Sequence, residues 1–280
     1  MLSLIQSIIL GALQGITELF PISSLGHTVI LPSVFGWTIN QADPLFLSFI
    51  VATHFATALV LFAFFYKDWM QILKGVLRSL VALKVEPLDS SARLGWLLIL
   101  ATIPAGLLGF LFQQKLQDLF ASPHAAAAFL VLNGVMLFGA EILRRNLKKP
   151  AQASATVAGV SWRQSLGIGF MQCLALLPGF SRTGSTLSGG LIVGLSHEDA
   201  AHFSFLLATP IIFAAAVLKL PKLFHAGAHN LDIILVGALC SALGAYLSVR
   251  FLTRYFKTKT LIPFATYCVI AGMFVLFFVA

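Results

Sequence analysis

Long apolar runs separated by short polar loops set the pattern of this sequence. Six of the runs are long enough for a helix to cross a hydrocarbon core of about 30 Å. They cover about residues 44–66, 92–112, 125–143, 200–220, 231–251 and 261–280. Residues 67–91 instead mix basic and apolar positions, which predicts a short amphipathic helix and a loop at a membrane surface. The pattern is typical of an all-α membrane protein.

Two other apolar runs are each interrupted by a proline and then reopened by small and hydroxyl residues. They read QGITELFPISSLGH over residues 14–27 and MQCLALLPGFSRTGSTLSGG over residues 171–190. Pro21 cannot continue the first helix, whereas Ser23 and Ser24 are preferred N-caps for a new one. A break at membrane depth is tolerated only where the backbone is buried in protein or lines a polar cavity. Each run therefore predicts a re-entrant helical hairpin.

These elements divide the chain into two similar halves. Residues 1–146 hold a hairpin at 1–36 and three spans, and residues 147–280 hold a hairpin at about 163–195 and three more. Three positions correspond between the hairpins, namely Gln14 with Gln172, Pro21 with Pro178, and Ser24 with Ser181. Since three is odd, the second half begins on the opposite side of the membrane from the first. The predicted fold is an all-α polytopic membrane protein with an inverted-topology repeat.

Composition and charge exclude other classes of protein. Of 280 residues 59% are hydrophobic and only 10% are charged, against about 25% in soluble domains. The net charge of +8 does not indicate nucleic-acid binding, because the Lys and Arg residues are spread between apolar runs and not gathered on one face. Fourteen of the 18 Lys and Arg residues fall on one predicted face and three on the other. The positive-inside rule makes the richer face cytoplasmic and places both termini and the mouth of the first hairpin outside.

The two interrupted runs also carry the most unusual polar groups. Glu18 lies within an apolar run, where a carboxylate costs roughly 3 kcal/mol even on the gentlest insertion scales, so we predict that it is functional. Arg182 lies in the second run among hydroxyl side chains, namely Ser181, Thr183, Ser185 and Thr186. An arginine between two helix N-termini forms an anion site for which phosphate is the natural ligand. We therefore predict that both breaks share one phosphate-binding cavity.

The first run contains further candidates for chemistry. Ser23 and Ser24 are either N-caps alone or, for Ser24, a nucleophile. His27 lies three residues after Ser24 on the same helix face, close enough to act as its base or as the base for a water. The alternative is a histidine that is only hydrogen-bonded in a polar core. Gln14 shares a face with Glu18 and either joins a metal or water shell or only packs. Glu18 has a rival interpretation as a structural ion pair with the buried arginine.

Several titratable groups lie outside these two runs. His54, inside the first span, is interpreted as a core hydrogen-bonding residue rather than a member of the pocket. Four residues near predicted span ends are interpreted as interfacial, namely Glu141, His197, Glu198 and His202. The three cysteines have no paired spacing and no histidine nearby, which favours small core residues over a zinc site.

Two motifs and two further blocks make the chain resemble the undecaprenyl-diphosphate phosphatase family, which is associated with bacitracin resistance. The motifs are QGITELFPISSLGH and PGFSRTGSTLSGG, and the blocks are EDAAHFSFLLATPIIFAAAVLKL and RFLTRYFKTKTLIPFATY. The likeness covers nearly the whole chain. We know of no other family that pairs a buried (E/Q)xxxE before PxSSxGH with PGxSRxGxT.

The resemblance implies a bacterial inner-membrane enzyme whose active site opens to the periplasmic side. Such an enzyme removes one phosphate from undecaprenyl diphosphate with a divalent cation, Mg²⁺ or Ca²⁺, and so recycles the lipid carrier for peptidoglycan synthesis. Carried over by motif, the catalytic residues are Glu18, Ser24, His27 and Arg182, and the substrate-binding residues are Gln14, Ser23, Ser181, Thr183 and Thr186. Glu18 is also the implied metal ligand.

Three positions depart from the family pattern. Leu25 replaces a residue that is usually Ser or Thr, and Thr183 replaces a usual Ser. Gln14 stands where many members have Glu, which leaves Glu18 as the single carboxylate for a metal. Substrate phosphates and hydroxyl groups would then supply the remaining oxygen ligands.

A transporter of an anionic polyprenyl phosphate lipid is the alternative function. Inverted repeats with broken helices near the membrane midplane are also the architecture of alternating-access transporters. In either case the predicted partners are the polyprenyl lipid and the bilayer, not nucleic acid. The sequence leaves open the nucleophile (Ser24, His27 or water), the metal, whether the product is also flipped, and the oligomeric state, with a homodimer among the alternatives.

Overall fold

All regular structure in the described part of the chain is helical. A computed structural model describes residues 2–40, 43–86, 88–112, 122–146, 157–223 and 231–279. The first five helices are α1 (Leu4–Leu19), α2 (Ser24–Val34), α3 (Pro44–Phe64), α4 (Tyr66–Ala82) and α5 (Ser90–Leu111). The next six are α6 (Pro123–Asn146), α7 (Trp162–Gln172), α8 (Arg182–Ile192), α9 (His197–Leu223), α10 (Leu231–Tyr255) and α11 (Ile262–Phe278). The prediction of an all-α protein is confirmed for these residues.

Five of the described helices are long and apolar enough to cross a membrane, namely α3, α5, α6, α9 and α10. They correspond to five of the six predicted spans. The sixth predicted span forms α11, whose 17 residues reach about 26 Å at a rise of about 1.5 Å per residue. The predicted boundary between the halves, at residues 146 and 147, lies where the described residues stop.

Both predicted helix breaks are present. α1 ends before Pro21, and α2 starts after the N-cap Ser23, whose hydroxyl accepts a hydrogen bond from Gly26 N at 3.2 Å. α7 continues into a short 3-10 turn before Pro178, and α8 starts after the N-cap Ser181. The hydroxyl of each serine therefore satisfies a backbone N–H group that has no partner within its helix.

Small residues allow the helices that carry the site to pack closely. α1 lies against α10 so tightly that a Cβ atom on Gly15 would be 2.0 Å from the carbonyl oxygen of Ser241. α6 lies against α11 in the same way, because a Cβ on Gly134 would be 2.7 Å from the carbonyl oxygen of Ala265. Such contacts hold helices together in lipid, where no hydrophobic driving force acts between them. These contacts fix the positions of α1 and α6, and both of these helices contact the second break in space.

The amphipathic helix predicted for residues 67–91 is α4 with the loop that follows it. Asp89 caps α5 by accepting a hydrogen bond from Ala92 N at 2.9 Å and pairs with the Arg78 guanidinium at 2.8 Å. The Ala92 hydrogen bond, and next the Arg78 side chain, hold the pKa of Asp89 below its usual value. Among the described residues of this loop, no hydrogen bond or ion pair reaches the helix breaks.

Candidate active site

The two broken segments meet inside the helix bundle. Gly26, in the first turn of α2, lies against Gly179 of the second break, and a Cβ on Gly26 would be 3.1 Å from the Gly179 Cα. Thr183, in the first turn of α8, donates its hydroxyl to the backbone oxygen of Glu18 at 3.1 Å. The predicted meeting of the two breaks is therefore confirmed.

Glu18 is the centre of the site. Its Oε1 atom accepts a hydrogen bond from Arg182 Nη2, and its Oε2 atom accepts one from the Ser24 hydroxyl. Gln14 Nε2 donates to the same Oε2 atom at 3.0 Å. The carboxylate is 4% exposed and the Arg182 side chain 18% exposed. One buried carboxylate thus joins a hydroxyl from the first break to a guanidinium from the second.

His54 also belongs to this cluster. Its Nδ1 atom is 2.8 Å from the carbonyl oxygen of Ile50, and its Nε2 atom is 3.4 Å from Glu18 Oε2. The predicted core hydrogen bond of His54 is present, but its placement outside the pocket is wrong, because α3 puts the ring against the Glu18 carboxylate. An ionisable residue inside a membrane span marks an internal cavity by default. The same rule that singled out Glu18 in the sequence would also have predicted that His54 belongs to the site.

His27 is held by groups other than Ser24. Its Nδ1 atom is 2.6 Å from the carbonyl oxygen of Ser23 and its Nε2 atom is 2.7 Å from the Tyr267 hydroxyl. Because a carbonyl can only accept, Nδ1 carries the proton and, in a neutral ring, Nε2 accepts from Tyr267. The Ser24 hydroxyl bonds to Glu18 instead. Sequence reasoning missed Tyr267, which lies 240 residues away on α11.

The other predicted substrate-binding groups line the two breaks. Ser23 adopts a φ of 68°, which is unusual for a residue other than glycine and typical of strained functional sites. Ser181 Oγ accepts from Gly184 N, and Thr186 Oγ1 donates to the backbone oxygen of Arg182 at 2.9 Å. These hydroxyls are therefore engaged with backbone groups in this structure.

The oxygen atoms around Glu18 suit a divalent cation, but they are too few to complete its coordination shell. The Oε1 atom of Gln14 is buried without a hydrogen-bond partner, and it lies on the side chain whose amide nitrogen bonds Glu18. Among the described residues, no group of three or more His, Cys, Asp or Glu side chains is placed to hold a metal ion. Mg²⁺ and Ca²⁺ prefer oxygen ligands, and Mg²⁺ commonly combines one or two carboxylates with substrate phosphates. The residues present fit a cation that shares its shell with substrate oxygens.

A second buried acid lies away from this cluster. Glu141 Oε1 is 2.6 Å from His197 Nε2 and accepts a hydrogen bond from Leu261 N at 2.7 Å. Both side chains are buried. Glu141 and His197, interpreted from the sequence as interfacial, are instead buried inside the protein, where hydrogen bonds through Glu141 join α6 and α9 to the start of α11.

Comparison with known proteins agrees with the motifs. The family described as bacitracin resistance protein BacA matches residues 7–274. An undecaprenyl-diphosphatase of Mycolicibacterium paratuberculosis is 46% identical over 97% of this chain and 95% of that protein. An undecaprenyl-diphosphatase 2 of Burkholderia ambifaria is 44% identical over 96% and 94% of the two chains. An undecaprenyl-diphosphatase of Acidiphilium cryptum is 45% identical over 95% and 94%.

These matches span both helix breaks and every described helix that contributes to the site. Together with five helices that are apolar enough to cross a membrane, they identify a multi-pass membrane protein. The chain belongs to the bacitracin resistance protein BacA family.

Proposed function

We propose that this chain hydrolyses undecaprenyl diphosphate to undecaprenyl phosphate and inorganic phosphate, which recycles the lipid carrier of peptidoglycan synthesis. One observation carries the proposal beyond the names of the relatives. Glu18 bonds both the Ser24 hydroxyl and the Arg182 guanidinium. A base, a nucleophile and an anion-binding group are thereby in direct contact at a buried site.

Arg182 and the two helix starts bind the diphosphate. The planar guanidinium matches two phosphate oxygens and stays charged in an apolar setting. α2 and α8 both begin at the breaks, so their positive ends face the same region. In the substrate complex the diphosphate takes over part of the Arg182 interaction that Glu18 makes in the substrate-free protein.

Ser24 is the nucleophile that the geometry favours. Its oxygen attacks the terminal phosphorus while its proton passes to Glu18, and the bond between that phosphorus and the bridging oxygen breaks. Undecaprenyl phosphate leaves with the bonding electrons. Water then attacks the phosphoserine and the bond between phosphorus and the Ser24 oxygen breaks. Glu18 returns its proton to the Ser24 oxygen, and both water protons leave on the released dihydrogen phosphate. His27, held by Ser23 and Tyr267, orients the start of α2 in this scheme.

A divalent cation, Mg²⁺ or Ca²⁺, fits next to these residues. Glu18, Ser24 and the amide oxygen of Gln14 would hold it together with substrate oxygens. When bound it would offset the charge of the diphosphate and polarise the phosphoryl group.

The topology that we propose is the inverted repeat predicted from the sequence. Residues 1–146 and 147–280 form its halves, and each broken segment enters the membrane as a re-entrant hairpin. The proposal is supported by the similar order of elements in the halves and by the asymmetric distribution of Lys and Arg. It places the protein in the bacterial inner membrane with the site open to the periplasmic side.

Phosphate release from undecaprenyl diphosphate by the purified protein in detergent tests the function. We expect release by the wild type, and a loss of at least about a hundredfold in Ser24→Ala. Ser33→Ala is the matched control, because Ser33 is an exposed residue of the same helix. A transporter would release no phosphate, and a Ser24→Ala variant with wild-type turnover would remove Ser24 as nucleophile.

A further inference from the structure

Asn133 connects the two helix breaks. It lies on α6 and is completely buried. Its Nδ2 atom donates to the carbonyl oxygen of Pro21 at 2.9 Å, and its Oδ1 atom accepts from the backbone nitrogen of Ser181 at 3.0 Å. A single side chain of a membrane-spanning helix therefore bonds the backbone of the first break and the backbone of the second.

An amide is suited to this position because it offers a donor and an acceptor together. Pro21 O lies in the irregular segment between α1 and α2, and Ser181 N lies at the N-cap of α8, so neither belongs to a helical turn. A buried backbone group without a partner costs about 1–3 kcal/mol, and more in a membrane interior. The second Asn133 N–H group faces the Cys268 sulfur at 3.3 Å, which is a weak acceptor.

We propose that Asn133 is a positioning residue for phosphate transfer. It sets the separation of the two breaks and so the placement of Ser24 and Glu18 relative to Arg182. The inference rests on the proposed function, because it concerns the same site. Asn133 acts through the backbone of Pro21 and Ser181 and does not itself contact the reacting groups.

The positions of the bonded atoms explain why a small shift matters. Ser181 immediately precedes Arg182, and Pro21 lies three residues from both Glu18 and Ser24. A displacement of about 1 Å between reacting groups can reduce turnover by about a hundredfold. Losing the bridge lets the breaks move relative to each other, which changes the placement of the transferred phosphate more than the affinity for the lipid.

Asn133→Leu tests the proposal, since leucine has the same number of side-chain heavy atoms and the same branch at Cγ but can make neither hydrogen bond. We expect kcat to fall at least about tenfold per folded molecule, with KM within about twofold of wild type. We also expect faster amide hydrogen exchange in peptides that cover residues 18–25 and 177–185. Asn133→Ala provides a second variant in case the branched leucine side chain prevents folding.

Two controls separate positioning from stability. Leu137→Ala removes a buried side chain one turn along α6, so it lowers the melting temperature but leaves kcat per folded molecule near wild type. Cys268→Ala removes the weak contact to Asn133 and the long Sγ contact to the Pro21 carbonyl oxygen at 3.9 Å, but leaves both Asn133 hydrogen bonds to the breaks in place.

Asn133 variants with kcat within twofold of wild type would overturn the inference. So would a loss of kcat in Leu137→Ala equal to that in Asn133→Leu at the same melting temperature. If the wild type releases no phosphate, the proposed function fails instead. Hydrogen exchange then still tests the bridge, and unchanged exchange in Asn133→Leu would reject it.

Discussion

Glu18 makes two kinds of contact whose consequences differ. Its bond to Arg182 is a buried ion pair, which by itself ties α1 to α8. Its bond to Ser24 places a carboxylate where a proton must go during nucleophilic attack. A purely structural tie predicts loss of stability when the charge is removed, whereas a catalytic role predicts loss of turnover in the molecules that remain folded.

Glu18→Gln keeps the shape of the side chain but removes its charge. We expect turnover per folded molecule to fall by at least about a hundredfold, because the amide cannot take the Ser24 proton. We also expect the melting temperature to fall, since an uncompensated buried charge costs about 3–5 kcal/mol. Phosphate release and thermal unfolding, both measured in detergent, check the expected falls in turnover and in melting temperature. In assays at several Mg²⁺ concentrations, added Mg²⁺ should restore only part of the rate.

Glu141→Gln is the matched control for that change. Glu141 is also a buried acid, hydrogen-bonded to His197 Nε2 at 2.6 Å, but it lies outside the site. We expect it to lower the melting temperature and to leave turnover per folded molecule near wild type. A Glu18→Gln variant that behaves in the same way would remove Glu18 from the mechanism.

Single residues differ in how far their roles are visible in the sequence. Glu18 and Arg182 stand out because ionisable groups are costly in apolar runs, and Ser24 stands out because it follows a helix-breaking proline. Asn133 and Tyr267 give no such signal, since an amide or a phenol in a span has many ordinary roles. Their importance depends on which helices are neighbours, and hydropathy does not encode that.

At the scale of elements, α6 acts as the support for the second break. Asn133 of this helix bonds Ser181 N. Two turns earlier, the α6 backbone lies so close to Gly179 that a Cβ there would be 2.2 Å from the carbonyl oxygen of Ala126. The break is thus held from its proline–glycine turn to the start of α8 by one helix.

Gly179→Ala should therefore disrupt the site through packing as well as through its backbone conformation. Gly179 has a φ of 102°, and Gly194, with a φ of 97°, has nothing within 4 Å of a built Cβ. Gly194→Ala carries only the conformational cost of about 1–3 kcal/mol and should keep its turnover. Gly179→Ala should unfold at a lower temperature than Gly194→Ala and lose at least about tenfold in kcat. Equal behaviour of the two variants in melting and phosphate release would contradict the support role of α6.

At the scale of the whole molecule, the apolar pattern was sufficient for the helices and insufficient for their arrangement. Six runs predicted spans that the structure contains as helices, although α11 is shorter than predicted. The pairing of α1 with α10 and of α6 with α11 depends on glycines such as Gly15 and Gly134, which allow backbones to approach. Small residues occur throughout such helices, so their spacing alone does not identify the partner helix.

The orientation of the molecule decides from which side substrate reaches the site. By sequence position, fourteen Lys and Arg residues fall in segments that we assign to the cytoplasmic face and three in segments that we assign to the opposite face. Translocating basic loops is unfavourable, so this bias supports the topology that we propose. In the orientation that we propose, the loop between α2 and α3, which contains Asn40, lies outside, and the loop between α4 and α5, which contains Leu88, lies inside.

Cysteine labelling in spheroplasts tests this orientation. In a chain whose native Cys173, Cys240 and Cys268 are replaced by alanine, we expect Asn40→Cys to react with a membrane-impermeant maleimide on intact cells. Leu88→Cys should react only after lysis. Both positions are exposed in the structure, so a difference in labelling reports the side of the membrane and not burial. The reverse pattern is labelling of Leu88→Cys on intact cells and of Asn40→Cys only after lysis. It would show that the orientation is opposite to the proposed one and that the mouth of the first broken segment is cytoplasmic.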